Sequence, residues 1–144
     1  MKLPQYITTE EVQRVCRELD IRDWTSLTEA NVPVEEAQVI QAAVGAEATQ
    51  ITADEFCCGL EVELEHGLQF PDANVTNNHP LLTGKIVLAH LKETLDYYSR
   101  LEVAELEGDM LKALSKGDLA KLGEKYRKLI HARLALSAHE VDHL

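Results

Sequence analysis

Two acid–histidine pairs carry the chemistry that this sequence can offer. One is Glu63-x-x-His66 in "GLEVELEHG" (59–67), and the other is His90-x-x-Glu93 in "AHLKE" (89–93). On a helical wheel of about 100° per residue with Phe56 at zero, Leu60 lies at about 40° and Leu64 at about 80°. Glu63 falls at about −20°, inside that apolar sector, with His66 on its flank at about −80°. Glu61 and Glu65 land on the far side, toward water. With Ile86 at zero on the following helix, His90 lies at about 40°, Glu93 at about −20° and Tyr97 at about 20°. An antiparallel pair reverses the chain direction, so E-x-x-H and H-x-x-E can meet in register. Two carboxylates and two imidazoles then converge on one spot. That set suits Fe, Mn or Zn, for which imidazole and carboxylate are common ligands. Glu-x-x-His within a helical bundle is also the ligand spacing of di-iron carboxylate proteins, which add two further glutamates. Here Asp96, Glu61 or a second copy of the chain would have to complete a dinuclear site. Tyr97, Asp96, Arg100 and His79 are candidates for the surrounding shell.

A metal is not the only partner that an inward carboxylate can have. Left ionised and unpaired in an interior it costs several kcal/mol, so something must satisfy it. His66, His90, Lys85, Arg100 or the Tyr97 hydroxyl can do so in a metal-free network.

The elements that must hold these residues read as helices throughout. The chain of 144 residues is of single-domain size, with 45% apolar, 27% charged and only 5% aromatic residues. A mixture led by Ala, Leu, Glu and Lys favours helix over strand. Thr8 or Thr9 caps a first helix whose stripe is Val12, Val15, Cys16 and Leu19, with Glu10 and Glu11 at its positive end. Residues 20–33 form a connector, and a second helix runs from about Pro33 to Val44, ended by Gly45. Thr52 and Glu55 make a capping box for a third helix that stops near His66 and Gly67. After a loop over 68–80, a fourth helix is expected to run unbroken to about Glu107, with Gly108 or Gly117 interrupting. The last helix, about 118–139, carries Leu119, Leu122, Tyr126, Leu129, Ile130, Arg133 and Leu136 along one broad face. The expected fold is all-α: a small bundle built on the antiparallel pair 52–66 and 81–107, with N-terminal helices and a C-terminal helix. It reads as one domain, 1–144, with N-terminal helices over 8–50, a core over 52–107 and a C-terminal extension over 108–144.

Charge and composition narrow the partners. The net charge of −11 argues against nucleic acid or an anionic membrane surface, since both demand basic patches. "KLGEKYRKLIHAR" (121–133) is a mixed-sign helix face. Cys16, Cys57 and Cys58 form no C-x-x-C spacing, and an odd count suggests a reducing compartment. No apolar leader and no membrane-length apolar run is evident, so the expected location is cytoplasmic. The sequon Asn74-Val75-Thr76 then reads as chance.

The remaining motifs are weak. "DANVTNNHP" (72–80) alternates oxygen-bearing side chains, but Asn77 and Thr83 stand where a calcium loop needs Gly and Glu. A turn followed by a helix cap explains it better, with His79 either in the cap or over the end of the helix pair. "TGK" (83–85) lacks the rest of a phosphate loop, so no nucleotide or organic cofactor is implied. Cys57 and Cys58 read as core or flank residues and not as nucleophiles. His131, His139 and His143 read as surface or helix-end residues.

"GLEVELEHG" (59–67), "NVTNNHPLLTGKIVLAHL" (74–91) and "DYYSRL" (96–101) resemble a family of small uncharacterised bacterial, archaeal and phage proteins, a domain of unknown function. Its motifs here are VELEHG and NVTxxxPxxTGKIxxAHL, within about 53–107. The helix at 8–21 resembles a segment that in relatives lies close before that core, which makes 24–50 an insertion and 108–144 an extension. His79 stands where many relatives have an acid. The resemblance implies a shared helical core and brings no activity, ligand or partner.

Two readings follow. One is a Glu/His metal-binding protein, with or without redox catalysis. The other is a non-catalytic interaction module, whose acidic surface or leucine-rich last helix docks a protein partner or a second copy in a homodimer.

Overall fold

The computed structural model describes residues 4–46 and 50–142. Among them are six α-helices, one short 3₁₀ turn and no β-strand, as the all-α expectation requires. The chain divides into two compact units, the first ending at Glu93 and the second beginning at Thr94.

The first unit holds α1 (Thr9–Glu18), α2 (Val34–Ala43), α3 (Ala53–Gln69) and α4 (Pro80–Glu93). Each start is chemically marked. The Thr8 hydroxyl accepts from the Glu11 N–H, and Thr52 with Glu55 forms the reciprocal capping box. Pro33 precedes α2 as its cap residue, and Gly45 follows it at φ +81°, a conformation that glycine adopts without steric cost. Burial of Val12, Trp24, Ile40, Phe56, Leu60, Leu64 and Val87 makes the core on which these helices pack. α4 lies close to α2 and α3 because residue 84 has no side chain. A Cβ there would come within 2.8 Å of Ile40 and 3.1 Å of Val44. The glycine of "TGK" is thus a packing device in mid-helix.

The helix expected over 81–107 is broken. α4 ends at Glu93, and α5 (Tyr97–Ser115) starts after a turn at Thr94–Asp96. The Thr94 hydroxyl donates to the Asp96 carboxylate, and the Tyr97 N–H turns back to the Thr94 carbonyl. Thr and Asp are weak helix formers, and the helix breaks at these residues. In the second unit α5 pairs with α6 (Leu119–Asp142) through Gly117, which adopts φ +68°. Gly108 is simply helical. The pair encloses Leu106, Leu129 and Ala132, with Val103 and Met110 packed beside them. The broad apolar face expected of the last helix divides: Leu129 turns inward, whereas Leu119, Tyr126 and Ile130 are exposed.

Candidate functional site

Three of the four residues expected to converge do approach one another. Glu63 Oε1 lies 3.6 Å from His90 Nε2, and Glu63 Oε2 lies 4.0 Å from His66 Nδ1. The Glu63 side chain is 17% exposed, against 31% for His90 and 49% for His66, so the acid is the most withdrawn of the three. Both separations exceed hydrogen-bond length. Glu93 is exposed at the end of α4. Among the described residues no three His, Cys, Asp or Glu side chains are grouped to hold a metal ion.

Beside Glu63 an open cleft of about 210 Å³ runs along the first unit. Glu63, His66 and Thr83 give it polar edges, and Phe70, Val75 and Ile86 wall it with carbon. The 70–79 loop forms one side, and it is pinned by asparagines. Asn74 Nδ2 donates to the Gly67 carbonyl at 3.2 Å and to Asn78 Oδ1 at 2.7 Å. Asn77 and Asn78 both take positive φ, which asparagine tolerates. Gly67 does not end α3, as its sequence position suggested. It lies inside the helix and leaves room for this loop, since a Cβ there would fall 2.0 Å from Asn78 Oδ1.

The residues expected in the surrounding shell have contacts of their own. Asp96 is buried in the second unit, where Arg100 donates to it at 2.6 Å and to Glu140 at 2.7 Å. The Arg100 guanidinium holds the Asp96 carboxyl below its ordinary range. Tyr97 stacks edge-on against Tyr98, with ring centroids 5.1 Å apart. His79 is the cap of α4: its Nδ1 accepts from the N–H groups of Leu81 and Leu82 at 3.2 and 3.4 Å. Burial shifts its pKa below the usual histidine value. His131 is exposed and His139 lies near the end of α6, while His143 lies outside the described residues.

Glu61 is half-buried. Its carboxylate accepts from the Val32 N–H at 3.0 Å and ties α3 to the chain entering α2. The most deeply buried carboxylate of the first unit is one that the helical-wheel argument missed. Glu36 is 7% exposed and accepts from Arg22 Nε at 2.8 Å and from the indole N–H of fully buried Trp24. Its signal was present: Glu36 precedes Ala37 and Ile40, both buried on α2, so an inward acid could be read there. The Arg22-x-Trp24 donor pair lay in a segment that reads only as a connector.

Cys16 and Cys57 are not activated, since burial raises the pKa of both thiols. Cys16 and Cys57 are buried and no disulfide links the described thiols. Cys57 donates to the Val32 carbonyl, and burial pushes its pKa up to about 11. Burial thus disfavours the thiolate, the form that attacks as a nucleophile.

The chain belongs to the family described as protein of unknown function (DUF5661), whose model matches residues 12–107. That match takes in all of α2, α3 and α4 and reaches into α5. No curated protein and no solved structure matches the chain. No helix among the described residues is long and apolar enough to cross a membrane.

Proposed function

We propose that this protein is a non-catalytic binding module whose cleft between α3, α4 and the 70–79 loop receives a basic side chain of a protein partner. The observation that carries the reading is the withdrawn carboxylate of Glu63 at the edge of a carbon-walled cleft. A lysine side chain matches both features, with a methylene stem for the apolar walls and an ammonium for the acid. The net charge of −11 favours encounter with basic partners. The test is a nuclear magnetic resonance titration with acetyl-Ala-Lys-Ala-amide and its norleucine counterpart. Saturable shifts at Gly67, Thr83 and Ile86 that need the ammonium, and that vanish in Glu63→Gln, are expected. No saturable response to either peptide overturns the reading.

A second reading is favoured by one observation, the position of Glu63 between two imidazoles. Ligand atoms about 2.1 Å from a common ion lie about 3.4 Å apart at the tetrahedral angle, and the two approaches, at 3.6 and 4.0 Å, are somewhat longer. Rotation of His66 and His90 toward Glu63 would complete a two-histidine, one-carboxylate set suited to Fe, Mn or Zn, without Glu93. Stoichiometric Zn²⁺ or Mn²⁺ binding by untagged protein, lost in both Glu63→Gln and His90→Ala, would establish it in place of the first.

A further inference from the structure

Helix α6 has a second face that its own unit does not use. Leu119, Tyr126, Ile130, Leu134 and Val141 are exposed by 72, 52, 46, 68 and 67%. At about 100° per residue they fall within a sector about 80° wide, turned away from the sector of Leu129 and Ala132 that packs on α5. Leu119, Ile130 and Val141 are eleven residues apart, a repeat that keeps an apolar stripe nearly straight along a helix. The stripe is about 33 Å long at 1.5 Å per residue.

The order of residues in the stripe identifies its occupant. Reversing the helix about Ile130 places Leu119 opposite Val141 and Tyr126 opposite Leu134. It also places Gly123 opposite Ser137, so a small residue meets a small one. A surface that complements its own reverse is what a two-fold symmetric interface requires. The area agrees. The five large side chains present roughly 600 Å² per copy, or about 1,200 Å² for two, which is the lower bound of a standard specific interface. An apolar patch of this size on an otherwise charged chain marks an interaction surface. The unit also gains by it, because α5 and α6 alone enclose a single thin layer of core.

We infer that α6 pairs with α6 of a second copy of this chain, antiparallel, with the two-fold axis passing at Ile130. This inference is independent of the ligand assigned to the Glu63 cleft.

Sedimentation equilibrium of the full chain tests it. A dimer is expected, and Ile130→Glu should weaken it by at least about 100-fold, since it sets two carboxylates face to face on the axis. Circular dichroism checks that the variant keeps its helix content, as expected for an exposed position. Disulfide trapping fixes the geometry in a Cys58→Ser background. Ile130→Cys should cross-link to its own copy under oxidation, and Tyr126→Cys should cross-link to Leu134→Cys but not to itself. A monomer at all concentrations up to about 0.1 mM, a dimer indifferent to Ile130→Glu, or Tyr126→Cys self-linkage would each overturn the inference.

Discussion

Replacing Glu36 by alanine should destabilise the first unit by about 2–3 kcal/mol, and the structure shows where that comes from. The carboxylate is 7% exposed and satisfies two donors. The Trp24 indole N–H is fully buried, and stranding such a donor costs about 1–3 kcal/mol. Arg22 is 42% exposed and can rehydrate, so its loss contributes less than the 3–5 kcal/mol of a fully buried broken pair. The new cavity adds to the cost, whereas removal of a desolvated charge offsets part of it. Glu36→Gln separates these terms. Its carbonyl keeps an acceptor for Trp24, but its amide presents a donor to Arg22, so about 1–2 kcal/mol is expected. Trp24 is the chain's single tryptophan, so its fluorescence during urea unfolding reports on the unit that contains it. At a slope of about 1–3 kcal/mol per molar, Glu36→Ala should lower the midpoint by roughly 1 M. A shift smaller than about 0.2 M, or a Gln variant worse than the Ala variant, would refute the assignment of Glu36 as the acceptor that makes Trp24 burial tolerable.

Three further outcomes are expected. Gly84→Ala should cost about 1–3 kcal/mol in the same assay, because the added methyl meets Ile40 and Val44 in a filled core, while Gly123→Ala, which meets nothing within 4 Å, should not destabilise. His79 is held neutral by burial and by accepting two backbone N–H groups, so its folded pKa is depressed. The unfolded chain then takes up a proton that the folded chain refuses, and stability should fall as pH drops below about 6.5. In His79→Asn, which can still cap, that part of the pH dependence should disappear from urea midpoints measured between pH 5 and 8. A thiol-reactive dye should label exposed Cys58 promptly in the native protein, and Cys16 and Cys57 only at the rate of unfolding, followed by mass spectrometry of the peptides.

What the sequence alone determined is local. Caps and stops are encoded within a few residues, so Thr8, the Thr52–Glu55 box and Gly45 mark their helix ends correctly. The 3.6-residue period likewise placed Glu63 and His90 on facing sides of α3 and α4, and their side chains come within 3.6 Å. Tertiary structure decided the rest, because it sets which of several local options is used. Gly67 looks like a helix stop, yet the helix runs through it, since the space it leaves is filled by Asn78 from a loop eleven residues on. Thr94–Asp96 looks like a helix interior in the apolar pattern, yet α4 ends there in a turn where the Thr94 hydroxyl bonds the Asp96 carboxylate, and a second unit starts. Glu36 needed donors from Arg22 and Trp24, which a wheel drawn on one helix cannot contain. The same limit divided α6: periodicity finds its leucines and isoleucine, but only the position of α5 separates the side already buried from the stripe left facing outward.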